Sequence, residues 1–258
     1  MDPEIPSAAR AYDYLLGGGH NFAADRELAE KIKVVQPGVV RIAQQNRAFL
    51  RRAVLFMLDA GVRQFLDLGS GIPTVGNVHE IAQTAAPDVR VVYVDYDPVA
   101  VAHSELLLAG NDNADIVDAD ITRPDDVLEA ESTRRLLDLD QPVGLLAVTI
   151  GHYIPAEADP AGLFARYRDV LAPGSYLALT HLTDDFTAIR GEQIVHTMKS
   201  SRNNVFPRTR KEVLELFTGY ELVEPGLVTT SSWRPGSGPS DVQDTGQDGL
   251  YAGVGRRL

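Results

Sequence analysis

Apolar positions along this chain recur in two rhythms that take turns. Between Pro37 and Gly61 the set Val39, Ile42, Ala43, Phe49, Leu50, Ala53, Val54, Met57 and Leu58 repeats every three or four residues. That spacing predicts an amphipathic helix, with Gly61 placed to stop it. Short apolar runs without helical period then appear at residues 65–68, 89–95, 143–150 and 176–182. The runs VRVVYVD and VGLLAVTI have the continuous apolar composition of parallel strands buried on both faces. Ile116 and Val117 form a weaker strand candidate, placed by its position between two helical stretches. Asp97-Pro98 and Asp159-Pro160 each set a capping side chain before a proline at the first helical position. Residues 209–212 (TRKE) read as a capping box for a helix through Phe217.

Strand and helix alternating at this interval predict βαβ units and an open, mostly parallel sheet covered on both faces. After Pro225 the pattern changes: residues 227–230 and 250–254 are short strand candidates. Residues 231–248 between them, rich in Ser, Gly, Pro and Asp, read as a mobile loop. No internal repeat and no linker-like boundary is visible. Residues 1–60 read as a helical extension or lid packed on an α/β body formed by residues 61–258.

Composition narrows the function classes. The chain has 258 residues, 24 Lys+Arg against 36 Asp+Glu, a net charge of −12 and no cysteine. Zero Cys removes disulfide scaffolds, thiolate metal sites and Cys nucleophiles together. The acidic balance argues against nucleic acid as the partner, since that affinity comes from Lys and Arg. No basic segment followed by an apolar run opens the chain, and no window approaches a membrane span, so a cytoplasmic protein is expected. The six histidines show no metal-binding spacing, and no metal is expected.

Candidate chemistry gathers at the carboxyl ends of the predicted strands, where open α/β sheets bind ligands. Asp67-Leu68-Gly69-Ser70-Gly71 ends the first strand, and its two glycines permit a tight turn and close approach of backbone to ligand. Asp95 ends the next strand, placed to accept hydrogen bonds from ribose hydroxyls, and Asp120 follows the third. Each acid also fits a plain cap or turn; the combination predicts a nucleoside site. A dinucleotide site wants a third glycine and free N–H groups for pyrophosphate, whereas here Pro73 removes a donor and Asp67 adds negative charge. S-adenosylmethionine, a sulfonium cation, suits these features better than NAD does.

The strings DLGSG and VYVDYDP resemble the glycine motif and ribose-binding acid of class I S-adenosylmethionine-dependent methyltransferases. More narrowly, PSAARAYDYLLGGGHNFAADRELAE, NRAFLRRAV, FLDLGSGIPTVGNVHEIAQ, VVYVDYDPVAVAHS and LAPGSYLALTHLT resemble a bacterial family of such enzymes of undefined substrate, from about Ser7 to the carboxyl terminus. The resemblance implies a Rossmann-like seven-stranded sheet with its last strand antiparallel, and S-adenosylhomocysteine as product. It places Gly69 and Gly71 under the methionine part, Asp95 on the ribose, and Asp120 with Ile121 beside the adenine. Ser70, Thr74, Tyr96 and Thr149 belong to the same expected site.

Three further groups complete the expectations. The cluster Tyr12, Tyr14, Gly17, Gly18, Gly19, Asn21 and Phe22 reads either as a hinge between helices or as a lid turning Tyr14, Asn21 and Phe22 onto the cofactor. Asn46 or Arg47 is a candidate for the methionine carboxylate, against a plain surface charge for Arg47. His152, and after it His181, is the candidate general base, each against a purely structural role. Residues 187–211 carry six basic side chains against Glu192, which suggests an anionic group on a small-molecule substrate. The alternatives to a methyltransferase are a silent S-adenosylmethionine-binding sensor or partner protein and a nucleotide-dependent oxidoreductase.

Overall fold

The computed structural model describes residues 2–73, 76–186, 188–236 and 249–258. Thr74, in the predicted site, and residues 237–248 of the predicted loop lie outside the described residues. The chain opens with helices α1 (Ala8–Leu15), α2 (Ala23–Val35) and α3 (Val39–Asp59). Strands β1 (Gln64–Leu68), β2 (Arg90–Asp95), β3 (Ala114–Asp118), β4 (Gly144–Val148) and β5 (Tyr176–Leu182) alternate with α4 (Val78–Ala85), α5 (Pro98–Leu108), α6 (Pro124–Leu128), α7 (Glu131–Leu136) and α8 (Pro160–Val170). Then come α9 (Ala188–Met198), α10 (Arg210–Glu215), β6 (Tyr220–Leu222), β7 (Val228–Thr229) and β8 (Leu250–Arg257).

The sheet order is β3-β2-β1-β4-β5-β8-β6, with β7 also paired to β8. β1 to β5 are mutually parallel, and β8 runs antiparallel to β5, β6 and β7. This is the Rossmann-like order expected from the motifs, with β7 as an added two-residue strand. Period-two alternation sorts the strand side chains onto two cores. Leu66, Val92, Leu145 and Leu177 face the side of α8 and α10, while Phe65, Val91, Leu146 and Ala178 face α3. Asp67 shares the parity of Phe65, so it emerges on the α3 side. At Gly144 a Cβ would meet Phe65 and Met57, so this glycine lets α3 sit close on the sheet. α3 is therefore a layer of the α/β body, held by Phe49, Leu50, Ala53 and Val54.

The first part of the predicted loop is not free. Trp233 is fully buried, edge-on to Phe49 and Phe56, and Arg52 on α3 donates to the carbonyls of Thr230 and Trp233. A single aromatic among turn-forming residues is enough to pin that stretch.

α1 and α2 pack into a third cluster with Met198 of α9 and with Val205. What fixes it to the sheet is Arg10. Its side chain has no exposure, its Nε donates to Asp25 Oδ2 at 2.8 Å, its Nη1 to Asp97 Oδ2 at 3.0 Å and its Nη2 to the carbonyl of Ile5. Asp25 also accepts the N–H groups of Ser7 and Phe22, and Asp97 caps α5 through Val99 N–H. One buried cation thus ties α1, the start of α2 and the start of α5 together. Breaking a buried pair strands its partners' charge, at a cost of about 3–5 kcal/mol. Arg10→Leu is expected to lose stability of that order in urea titration; a loss under about 1 kcal/mol would contradict this role.

Candidate active site

Gly69 and Gly71 sit at φ +67° and +68°, a conformation that only glycine adopts without strain. A side chain at Gly69 would also collide with Ile150 at the end of β4. The loop crosses to β2: Gly69 and Ser70 N–H donate to Val94 O, and Gly71 N–H donates to Asp95 Oδ2 at 2.7 Å. Asp95 Oδ1 accepts Asp97 N–H at 2.8 Å. Each carboxylate oxygen keeps a second acceptor direction. Burial raises the Asp95 pKa, against the lowering effect of these backbone donors.

A cleft of about 250 Å³ opens over this loop. Five carboxylates, Asp13, Asp67, Asp95, Asp97 and Asp120, line it against only Arg47 and Arg202. Such a wall suits a cation and opposes pyrophosphate. Burial pushes the Asp67 pKa up to about 7, with Arg47 lowering it and Asp95 raising it. Arg47 donates Nη2 to Gly76 O, but among the described residues its buried Nε has no partner; neither has the buried Oγ of Ser70. Two unanswered donors beside Asp67 match the carboxylate and ammonium of an amino-acid group. At the other end, Ile121 is buried and Asp120 accepts from Thr122 N–H and Oγ1. Tyr96 Oη accepts from Asn203 Nδ2, and Asn203 Oδ1 in turn accepts Ala8 N–H.

α1 roofs the cleft. Ala8, Ala9, Tyr12, Asp13 and Leu16 face it, a helical stripe. A directed hydrogen-bond chain fastens the roof to the strand ends. Thr149 N–H donates to Thr180 Oγ1 (2.8 Å), Thr180 Oγ1 donates to Asn46 Oδ1 (2.9 Å), and Asn46 Nδ2 donates to Tyr12 Oη (3.0 Å). Tyr12 Oη donates on to Ala43 O. Thr149 itself stands at φ 57°, a strained backbone of the kind that collects at functional sites.

Tyr12, Thr149, Tyr153 and Ala8 also form one wall of a second chamber, of about 140 Å³, between α1, α2, α3 and α9. His152 lines it. Burial, His181 and Arg208 drive the His152 pKa well down, so the ring is neutral. Leu182 N–H reaches its Nδ1 at a long 3.4 Å. His181 lines neither space: its Nδ1 lies 2.7 Å from Leu182 O, and its Nε2 accepts from Arg208 Nη1 at 2.8 Å. Both ring nitrogens are committed, and burial lowers its pKa to about 4.

The structure therefore brings Arg47, Asp67, Gly69, Ser70, Gly71, Asp95, Tyr96, Asp120, Ile121 and Thr149 around one cleft. Tyr14, Asn21 and Phe22 are not on its wall. Two residues along a helix turn the direction by about 200°, so Tyr12 facing the cleft sends Tyr14 away; it donates to Glu30 under the Lys33 ammonium. Asn21 donates to Asp13 Oδ2 and Gly18 O, and the Phe22 ring lies under Arg10. The glycine triplet is a tight turn: Gly17 has φ +84°, and a Cβ on Gly18 would strike Asp13. Asp13, Tyr12, Asp97, Arg202 and Asn203 are among the cleft residues the expected set omitted; the Ala8-Tyr12-Leu16 stripe was the available signal for the first two. Among the described residues no cluster of three His, Asp or Glu could hold a metal ion.

A family model described as S-adenosyl methyltransferase matches residues 1–258. A DUF574-family protein of Streptomyces avermitilis is 37% identical, covering 100% of this chain and 99% of its own, at a TM-score of 0.95. A candidate methyltransferase of Thermobifida fusca is 40% identical, covering 98% and 96%, at a TM-score of 0.92. No curated protein matches. With its whole length matched, and with the strand order and acidic glycine-loop cleft described above, the chain belongs to the S-adenosyl methyltransferase family.

Proposed function

We propose that this S-adenosylmethionine-dependent methyltransferase methylates a small molecule, with the amino-terminal extension, residues 1–60, roofing the site through α1 and packing through α3 on a cofactor-binding body of residues 61–258. The observation that carries the reading is the meeting of an acidic cleft and an uncharged chamber at Tyr12, Thr149 and Tyr153. When bound, S-adenosylmethionine supplies an electrophilic methyl group on a positively charged sulfur. Asp95 accepts the ribose hydroxyls while it holds the glycine loop. Arg47 and Ser70 donate to the carboxylate end, and Asp67 faces the ammonium. Ile121, Asp120 and Tyr96 flank the adenine, and Thr149 stands in the wall the two spaces share, which methyl transfer would use as the passage between them. Asn21 and Phe22 act one step back, through Asp13 and Arg10. Neutral His152 would orient the acceptor's O–H or N–H and, although burial makes it a weak base, would take up the proton released as the acceptor's oxygen or nitrogen is methylated. Alignment in a dry site then supplies most of the rate. The acidic cleft supports an acceptor other than nucleic acid. No helix among the described residues is long and apolar enough to cross a membrane, and the chain needs no disulfide, which supports a cytoplasmic setting.

Calorimetry is expected to show binding of S-adenosylmethionine and S-adenosylhomocysteine but not of NAD. Asp95→Ala should weaken binding by roughly 10–100-fold, the worth of one charged hydrogen bond; unchanged affinity would remove Asp95 from the ribose.

The raised pKa of Asp67 gives a second test. Folding favours its protonated form, so its stabilising contribution is complete below about pH 4 and is lost as pH rises through about 7. The ligand ammonium favours the carboxylate instead. Affinity should therefore climb between pH 5.5 and 7, by at most about tenfold per unit, while the stability of the free protein falls. Asp67→Asn should flatten both slopes; a variant retaining the wild-type pH dependence would contradict the assignment.

A further inference from the structure

The chamber beyond Tyr12 and Tyr153 differs in kind from the cleft. Among the described residues, no Asp, Glu, Lys or Arg lines it. Its titratable groups are all neutral at pH 7: His152 is held deprotonated by burial, and burial raises the pKa of Tyr12 and of Tyr153. Tyr12, Thr149 and Tyr153 stand on the wall shared with the cleft with His152 beside them, Gln36 and Thr183 lie elsewhere on the lining, and Ile32, Ile42, Ile194, Met198 and Leu250 supply apolar lining.

Two members of the basic stretch that suggested an anionic substrate turn elsewhere. Arg208 is buried and spends its guanidinium on Gly151 O, Ile154 O and His181 Nε2. Arg202 lines the cofactor cleft. A carboxylate or phosphate carried into the chamber would lose its hydration and meet no cation among the described residues, a penalty far above any gain in contact.

We infer that the methyl acceptor is an uncharged molecule whose apolar part, about one six-membered ring in size, fills this chamber while its nucleophilic hydroxyl or amine points to the Tyr12–Thr149–Tyr153 passage. The inference rests on the methyl-transfer reading and adds the substrate class to it. The size follows from the volume: at 140 Å³ the chamber matches the roughly 150 Å³ apolar cavity known to admit benzene. Specificity then comes from exclusion of charge, with a few polar groups at one end fixing orientation.

The test uses the full chain saturated with S-adenosylhomocysteine, whose own binding is measured first by calorimetry. Absence of that binding refutes the cofactor reading beneath the inference. With the cofactor product bound, para-cresol and 4-hydroxybenzoate are titrated at pH 7.5 and followed by ligand-observed NMR. They share a ring and a hydroxyl and differ by a carboxylate. Para-cresol is expected to bind in the millimolar range or tighter, and 4-hydroxybenzoate at least about tenfold more weakly. Ile42→Trp, which fills the chamber from a half-buried position on α3, should weaken para-cresol at least about tenfold with S-adenosylhomocysteine affinity retained. Ile194→Trp does the same from α9 and replaces it if Ile42→Trp does not fold. Failure of para-cresol to bind, equal or tighter binding of 4-hydroxybenzoate, or para-cresol binding unchanged in a folded filled variant would each overturn the inference.

Discussion

A single buried cation decides how this molecule closes. Arg10 has two carboxylate partners, one on α2 and one at the start of α5, and only with both in place can its charge sit out of water. That requirement sets α1 across the carboxyl ends of the strands. Because Asp97 is two residues from Asp95, the same ion network that fixes the roof also fixes the end of β2, where the ribose is proposed to lie. The Thr149–Thr180–Asn46–Tyr12 chain fastens the other side of α1 to β4 and β5. Roof and floor are thus joined at both edges of the cleft, and the glycine turn before α2 is held shut by Asp13.

Closing the roof in this way divides the space below it by charge. On one side, carboxylates outnumber guanidiniums and a sulfonium is welcome. On the other, no charged side chain among the described residues reaches the wall. On the proposed assignment, a reaction that consumes a positive charge would benefit from that division, with the charged reactant held where anions are and a neutral acceptor where they are absent. The cost is borne by Asp67, a buried carboxylate whose ionisation opposes folding until a cation arrives.

Much of the fold was legible because parallel strands buried on both faces must be continuously apolar, as residues 91–94, 144–148 and 176–179 are. β6 was not, being a three-residue edge strand that is partly exposed and carries Glu221. The glycine loop and its strand-end acids were legible because their chemistry is local to a turn. The roof was only half legible: the Tyr12–Tyr14 pair was visible, and helical geometry rather than residue type chose between them. Arg10, Asn46 and Thr180 were beyond reach as a set, since their partners lie up to 134 residues away and nothing local marks the pairing. The second chamber is assembled from separate segments, so the basic character of residues 187–211 could not show which space those side chains face. Side-chain direction, invisible in composition, turned Arg208 inward to backbone carbonyls.

The crystal structure of the complex with S-adenosylhomocysteine is the most direct measurement of whether cleft and chamber form one reaction site. The expected result is a ribose on Asp95, an amino-acid group between Asp67 and Arg47, and a sulfur atom facing the Tyr12–Thr149–Tyr153 passage into the apolar chamber. A sulfur atom turned away from that passage, with the chamber closed off behind Tyr12, would contradict it.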